Sequence, residues 1–128
     1  MSLRSPLGKV LGAGSAKDGT GHWWGQRVSA AALLILGAWF LVSLLQVESL
    51  QYQDIRAWIG RPFSTVMLLL FLLTLAYHSK LGIQVVIEDY VHAPTLKVTA
   101  LILNNFIHLF LGVAALVAIL GAAFGGNA

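Results

Sequence analysis

An imidazole inside an apolar helix is costly enough to be a functional candidate by default. His78 stands in that position, sixteen residues after Pro62 in a long apolar stretch, which is roughly 24 Å along a helix. One ring nitrogen there can ligate a haem iron while the other is held by a hydrogen bond. The same histidine could equally be a group hydrogen-bonded to a neighbouring helix. Gly82 follows four residues later, about 40° away on the same face, where a flat macrocycle could lie against a helix that lacks a side chain. In the last apolar stretch Asn104 and His108 are four apart on one face, with Asn105 beside them. Such groups commonly bond across helices in membranes, so packing is their expected role, with His108 held as the reserve ligand.

Other chemistries are excluded by what the chain lacks. It has no cysteine, so it can build no disulfide, thiolate metal site or iron–sulfur cluster. There is no glycine-rich phosphate loop, dinucleotide fingerprint, zinc pair or nucleophile elbow.

The elements that must position these residues are membrane helices. Of the 128 residues only 10% are charged and 58% are hydrophobic, too little polar surface to coat a soluble globule. The pattern implies an all-α membrane protein of three transmembrane helices, with spans at about 29–47, 62–87 and 97–124. Residues 1–28, with scattered Gly and Ser and no apolar period, are expected as an irregular cytoplasmic arm, and 29–128 as the anchor domain. Residues 46–61 are expected as a short loop outside the lipid, with Trp58 at the interface and Pro62 opening the next helix. No secretory-type apolar core precedes the first span, which is expected to be retained.

The net charge of +3 sits in the first 27 residues, where Arg4, Lys9, Lys17 and Arg27 face Asp18 alone. That is topology information rather than a nucleic-acid footprint. Arg4, Lys9, Lys17 and Arg27 in the arm, Lys97 in the 88–97 loop and Lys80 ahead of it make six Lys and Arg toward one side, against Arg56 and Arg61 in the first loop. The N-terminus is therefore expected in the cytoplasm and the C-terminus in the periplasm.

The stretch His78-Ser79-Lys80-Leu81-Gly82-Ile83-Gln84-Val85-Val86-Ile87-Glu88-Asp89-Tyr90-Val91-His92 resembles the signature of the succinate dehydrogenase hydrophobic anchor family, small D-type subunit. In that signature a His, a Gly four later and an Asp-Tyr-Val at the helix end recur at this spacing. Gly14-Ser15-Ala16, Gly19 and His22-Trp23-Trp24-Gly25-Gln26-Arg27-Val28-Ser29-Ala30 are similar to the arm and first-helix entry of its alphaproteobacterial members. Gln84 sits one place earlier than in many relatives and is assigned no role.

The resemblance implies that His78 is an axial ligand of a b-type haem, the other ligand coming from a second hydrophobic (cytochrome b) anchor. It implies that Tyr90 donates a hydrogen bond to a ubiquinone carbonyl, and that Asp89 tunes that tyrosine or lies on the proton route. Taken without the resemblance, Tyr90 is an interfacial anchor. Arg27 would face a haem propionate or the quinone edge, or else serve as a phospholipid and topology anchor. His22, Trp23 and Trp24 would line the same edge, although Trp at an interface is more often a belt residue than a cofactor contact. The implied partners are that second anchor, an iron–sulfur subunit, a flavoprotein subunit and the phospholipid membrane, with no nucleic acid. Succinate oxidation would belong to the flavoprotein, and this subunit would act in respiratory complex II and the tricarboxylic acid cycle. The expected location is the bacterial inner membrane, in preference to the mitochondrial one. The competing class is a small transporter or ion channel using His78, Lys80 and Glu88.

Overall fold

The described residues form four helices: α1 (Ser15–Leu45), α2 (Tyr52–Ile59), α3 (Pro62–Tyr90) and α4 (Pro94–Phe124). The computed structural model describes residues 15–125. In hydrocarbon every backbone N–H and C=O must be satisfied within its own segment, so uninterrupted Leu-, Ala- and Val-rich runs become helices. Pro62 and Pro94 each open a helix at its first turn, where the missing N–H costs nothing. Below Leu45 the chain leaves α1 through two tight turns, with Gln46 N–H donating to Ser43 O and Val47 N–H to Leu44 O.

Thr20–Leu45, Pro62–Tyr90 and Pro94–Phe124 are each long and apolar enough to cross a membrane, which makes this a multi-pass membrane protein. All three outrun the expected spans. Most notably, α1 begins at Ser15, so residues 15–28, expected as irregular, are helical. A helix does not stop where the lipid does, and the Gly residues in this stretch weaken it without breaking it. The rest of the expected arm, residues 1–14, lies outside the described residues.

The first loop also differs from expectation, because α2 lies inside it. Ile55, Trp58 and Ile59 fall on one face of this short helix, and that face turns inward. Trp58 is 5% exposed rather than an interfacial belt residue. It stacks on Trp39 at 6.4 Å between centroids, contacts Phe40 at 6.0 Å, and donates from Nε1 to Ser43 Oγ at 2.7 Å. With Leu68 of α3 and Ile119 of α4 it forms the buried apolar cluster. Arg56 of α2 reaches across to the carbonyls of Ala122 and Gly125, placing a cation at the negative end of α4.

α3 is the central element. α1 packs against it along one stripe and α4 along another, while α1 and α4 do not pack on each other. Small polar side chains mark these contacts: Ser29, Ser64, Thr65 and Asn104 are all buried.

Candidate functional site

α1 and α3 run antiparallel, which brings the early part of α1 beside the second half of α3. Gly25 and Gly82 line this approach. A β-carbon on Gly82 would stand 3.5 Å from Gln26 Nε2, so Gln26 occupies the space above Gly82 that was expected for a macrocycle. Beside this contact is a recess of about 500 Å³ walled by His22, Trp23, Gln26, Arg27 and Ala30 of α1 and by His78 and Val85 of α3. His78, His22, Trp23 and Arg27 are thus brought together.

The hydrogen-bond network determines which nitrogen of His78 is free. Ser29 Oγ lies 2.6 Å from Gly25 O and 3.1 Å from Gln26 O, and 2.9 Å from His78 Nδ1. A carbonyl cannot donate, so the serine proton must lie toward the backbone oxygens. Ser29 Oγ then offers a lone pair to His78, and Nδ1 carries the ring proton. Nε2 keeps its lone pair and has no hydrogen bond among the described residues, which is the state a metal ligand requires.

His108 differs at that atom. Its Nδ1 donates to Asn104 O at 2.8 Å, and its Nε2 accepts from Ser79 Oγ at 3.0 Å. Asn104 Nδ2 in turn donates to Lys80 O at 3.1 Å. Both ring nitrogens of His108 are therefore engaged, and the pair ties α4 to α3.

Two further polar atoms in the recess wall are buried without a partner, His22 Nε2 and Gln26 Oε1. Buried orphans of this kind call for a bound group or water. Arg27 is exposed at the rim, its guanidinium 5.5 Å from the centre of the Trp23 ring, and Trp23 meets Trp24 edge-on at 5.1 Å. No carboxylate among the described residues lines the recess, and the Arg27 guanidinium at its rim suits an anionic group. Among the described residues no three His, Asp or Glu side chains converge to hold a metal, so an iron here would take its protein ligands singly.

Asp89 and Tyr90 are not part of this recess. They lie at the C-terminal end of α3, about 18 Å along the axis from His78. Tyr90 is 80% exposed and Asp89 is exposed as well. Beside them Glu88 accepts from Gln84 Nε2 at 2.8 Å, and Lys97 Nζ donates to the Glu88 carbonyl at 2.8 Å. His78, Lys80 and Glu88 share none of the described cavities.

Ser29 and Gln26 are the site residues that sequence reasoning passed over. A lone Ser two residues past a basic residue and inside an apolar run was the available signal, since small polar groups mark helix contacts in membranes.

Comparison with known proteins bears directly on this arrangement. The model of the succinate dehydrogenase/fumarate reductase transmembrane subunit matches residues 1–113. The succinate dehydrogenase hydrophobic membrane anchor subunit of Rickettsia bellii (strain RML369-C) is 34% identical, over 91% of this chain and 94% of its own length. That of Rickettsia conorii (strain ATCC VR-613 / Malish 7) is 32% identical, over 91% and 94%. The corresponding subunit of Paracoccus denitrificans is 34% identical, over 76% of this chain and 75% of its own. No solved structure matches the chain significantly.

Proposed function

The chain belongs to the succinate dehydrogenase/fumarate reductase transmembrane subunit family as a membrane anchor, and from that premise we propose that its α1–α3 recess holds one side of a b-type haem through His78 Nε2. The observation that carries the reading is the single free imidazole nitrogen. His78 is fixed as the Nδ1–H tautomer by Ser29, whereas His108 has no nitrogen to give. The residues around it suit the group. Arg27 supplies positive charge for a propionate, and the orphaned His22 Nε2 and Gln26 Oε1 supply polar contacts at its edge. When bound, the haem supplies a one-electron store within the membrane.

A further ligand to such a group would come from the partner anchor, which would meet the flanks that α1 and α4 leave apart. The quinone contact lies at the end of α3, where Tyr90 donates to a ubiquinone carbonyl and Asp89 orients that phenol or passes protons from water. Both side chains are free to meet a partner surface there. The positive-inside rule, with six Lys and Arg against two, puts the recess end of α1 and the 88–97 loop in the cytoplasm, beside the iron–sulfur and flavoprotein subunits. The membrane is the bacterial inner membrane. A transporter using His78, Lys80 and Glu88 is set aside, since the family is that of a respiratory anchor and no described cavity joins the three.

The test is a dithionite-reduced minus oxidised spectrum of the complex that co-purifies with this chain, for wild type and His78→Ala. A b-type signal in wild type that is lost in an assembled mutant is the expected result. Absence of haem and of co-purifying soluble subunits in wild type would overturn the reading.

A further inference from the structure

We propose that Ser29 is a positioning residue for His78, setting both its tautomer and the direction of its Nε2 lone pair. The inference rests on His78 as the haem ligand and adds to it a residue that never touches the haem.

Three observations support it. Ser29 is 5% exposed, and its hydroxyl is within hydrogen-bond distance of one side-chain atom outside its own helix, His78 Nδ1. Its proton is committed to the carbonyls of Gly25 and Gln26 at 2.6 and 3.1 Å, which leaves Ser29 as an acceptor toward the ring. Ser29 is packed inside the α1–α3 contact, and among the described residues no other acceptor stands within reach of Nδ1–H. A ring with Nδ1–H unsatisfied would either rotate or move its proton to Nε2, and either change removes the ligand. Accepting from Nδ1–H also makes Nε2 a stronger donor to oxidised iron. Loss of the hydroxyl is therefore expected to favour the reduced form. Partners of this kind typically contribute about 10- to 100-fold in metal affinity.

The alternative role for Ser29 is simple helix contact, and the variants are chosen to separate the two. Ser29→Thr keeps the hydroxyl on the same backbone, and Ser29→Val has the shape of that threonine without it. Both are made in the intact complex. Measured are haem retained against a haem-scavenging protein, the low-temperature electron paramagnetic resonance of the oxidised haem, and its midpoint potential. Threonine is expected to match wild type. Valine is expected to lose haem about 10-fold faster, with a shifted resonance and a raised midpoint. If valine blocks assembly, Ser29→Ala removes the hydroxyl without bulk and is read in the same way.

Valine, or alanine, matching threonine in all three measurements overturns the proposal. His78→Ala separates the failures. If it loses haem while the hydroxyl proves silent, the ligand stands and the positioning role falls. If it keeps a wild-type haem signal, the ligand assignment fails and carries this inference with it.

Discussion

The Tyr77 hydroxyl lies 2.6 Å from the point where a β-carbon on Gly25 would stand, with Leu81 Cδ1 3.2 Å from the same point. The lack of a side chain at residue 25 lets α1 approach α3 here with the Tyr77 ring lying across it. The carbonyl that receives the Ser29 hydroxyl belongs to this same glycine, so the helix contact and the His78 network share one residue. Gly25→Ala should force the Tyr77 ring outward. Tyr77 is 48% exposed and can yield, so the cost should fall at the low end of overpacking, about 1 kcal/mol. Thermal unfolding of the detergent-solubilised complex checks this. Tyr77→Phe removes the nearest atom, so the double variant should recover most of the loss. Strict additivity would refute the contact.

His108→Ala should keep haem while loosening the α3–α4 contact. Asn104→Ala should do the same, since it removes the donor to Lys80 O. Hydrogen bonds between membrane helices average about 0.6 kcal/mol, so each effect should be small. Because Asn104 O also receives His108 Nδ1 through the backbone, Asn104→Ala spares that bond. Visible spectra and thermal unfolding of the two variants provide the readings. Haem loss in His108→Ala with haem retained in His78→Ala would reverse the assignment of the two histidines.

Trp58 closes the far end of the bundle, and its loss should be felt as core damage. Trp58→Ala should cost about 3–5 kcal/mol, the range for emptying a buried indole site. Trp58→Phe keeps most of the apolar contact and loses the donor to Ser43 Oγ, so it should cost nearer 1 kcal/mol. Neither should change the haem spectrum of the complex that does assemble. Equal thermal stability of Trp58→Ala and wild type would contradict the burial described for this residue.

Tyr90→Phe should raise the KM for ubiquinone by about 10-fold, the equivalent of one neutral hydrogen bond, and leave the haem spectrum unchanged. Succinate-driven quinone reduction by the purified complex measures it. An unchanged KM would leave Tyr90 as an interfacial anchor only.

The long helices were legible because an uncharged apolar run has one solution in lipid, and because Pro62 and Pro94 mark their own positions. Their true lengths were not, since hydropathy reports the lipid boundary and α1 continues past it to Ser15. α2 was hidden by its mixed polarity, and Trp58 looked like a belt residue because its burial depends on Trp39 and Ile119, distant in sequence. His78 was legible from type and placement. Ser29 served only as the edge of a span, because its partner is 49 residues away. Asp89 and Tyr90 were legible as a helix end, where both side chains are exposed.

Since α1 and α4 each lean on α3 and not on one another, the described helices of the chain enclose no compartment between those two. Everything it offers is carried on its flanks. An unassembled copy would leave α1 gripped from one side, with the recess wall uncovered at the membrane edge and the His22 and Gln26 atoms still without partners. Biogenesis is then constrained. Insertion into the bilayer can precede everything else, whereas covering that wall must wait for whatever group or surface comes to meet it.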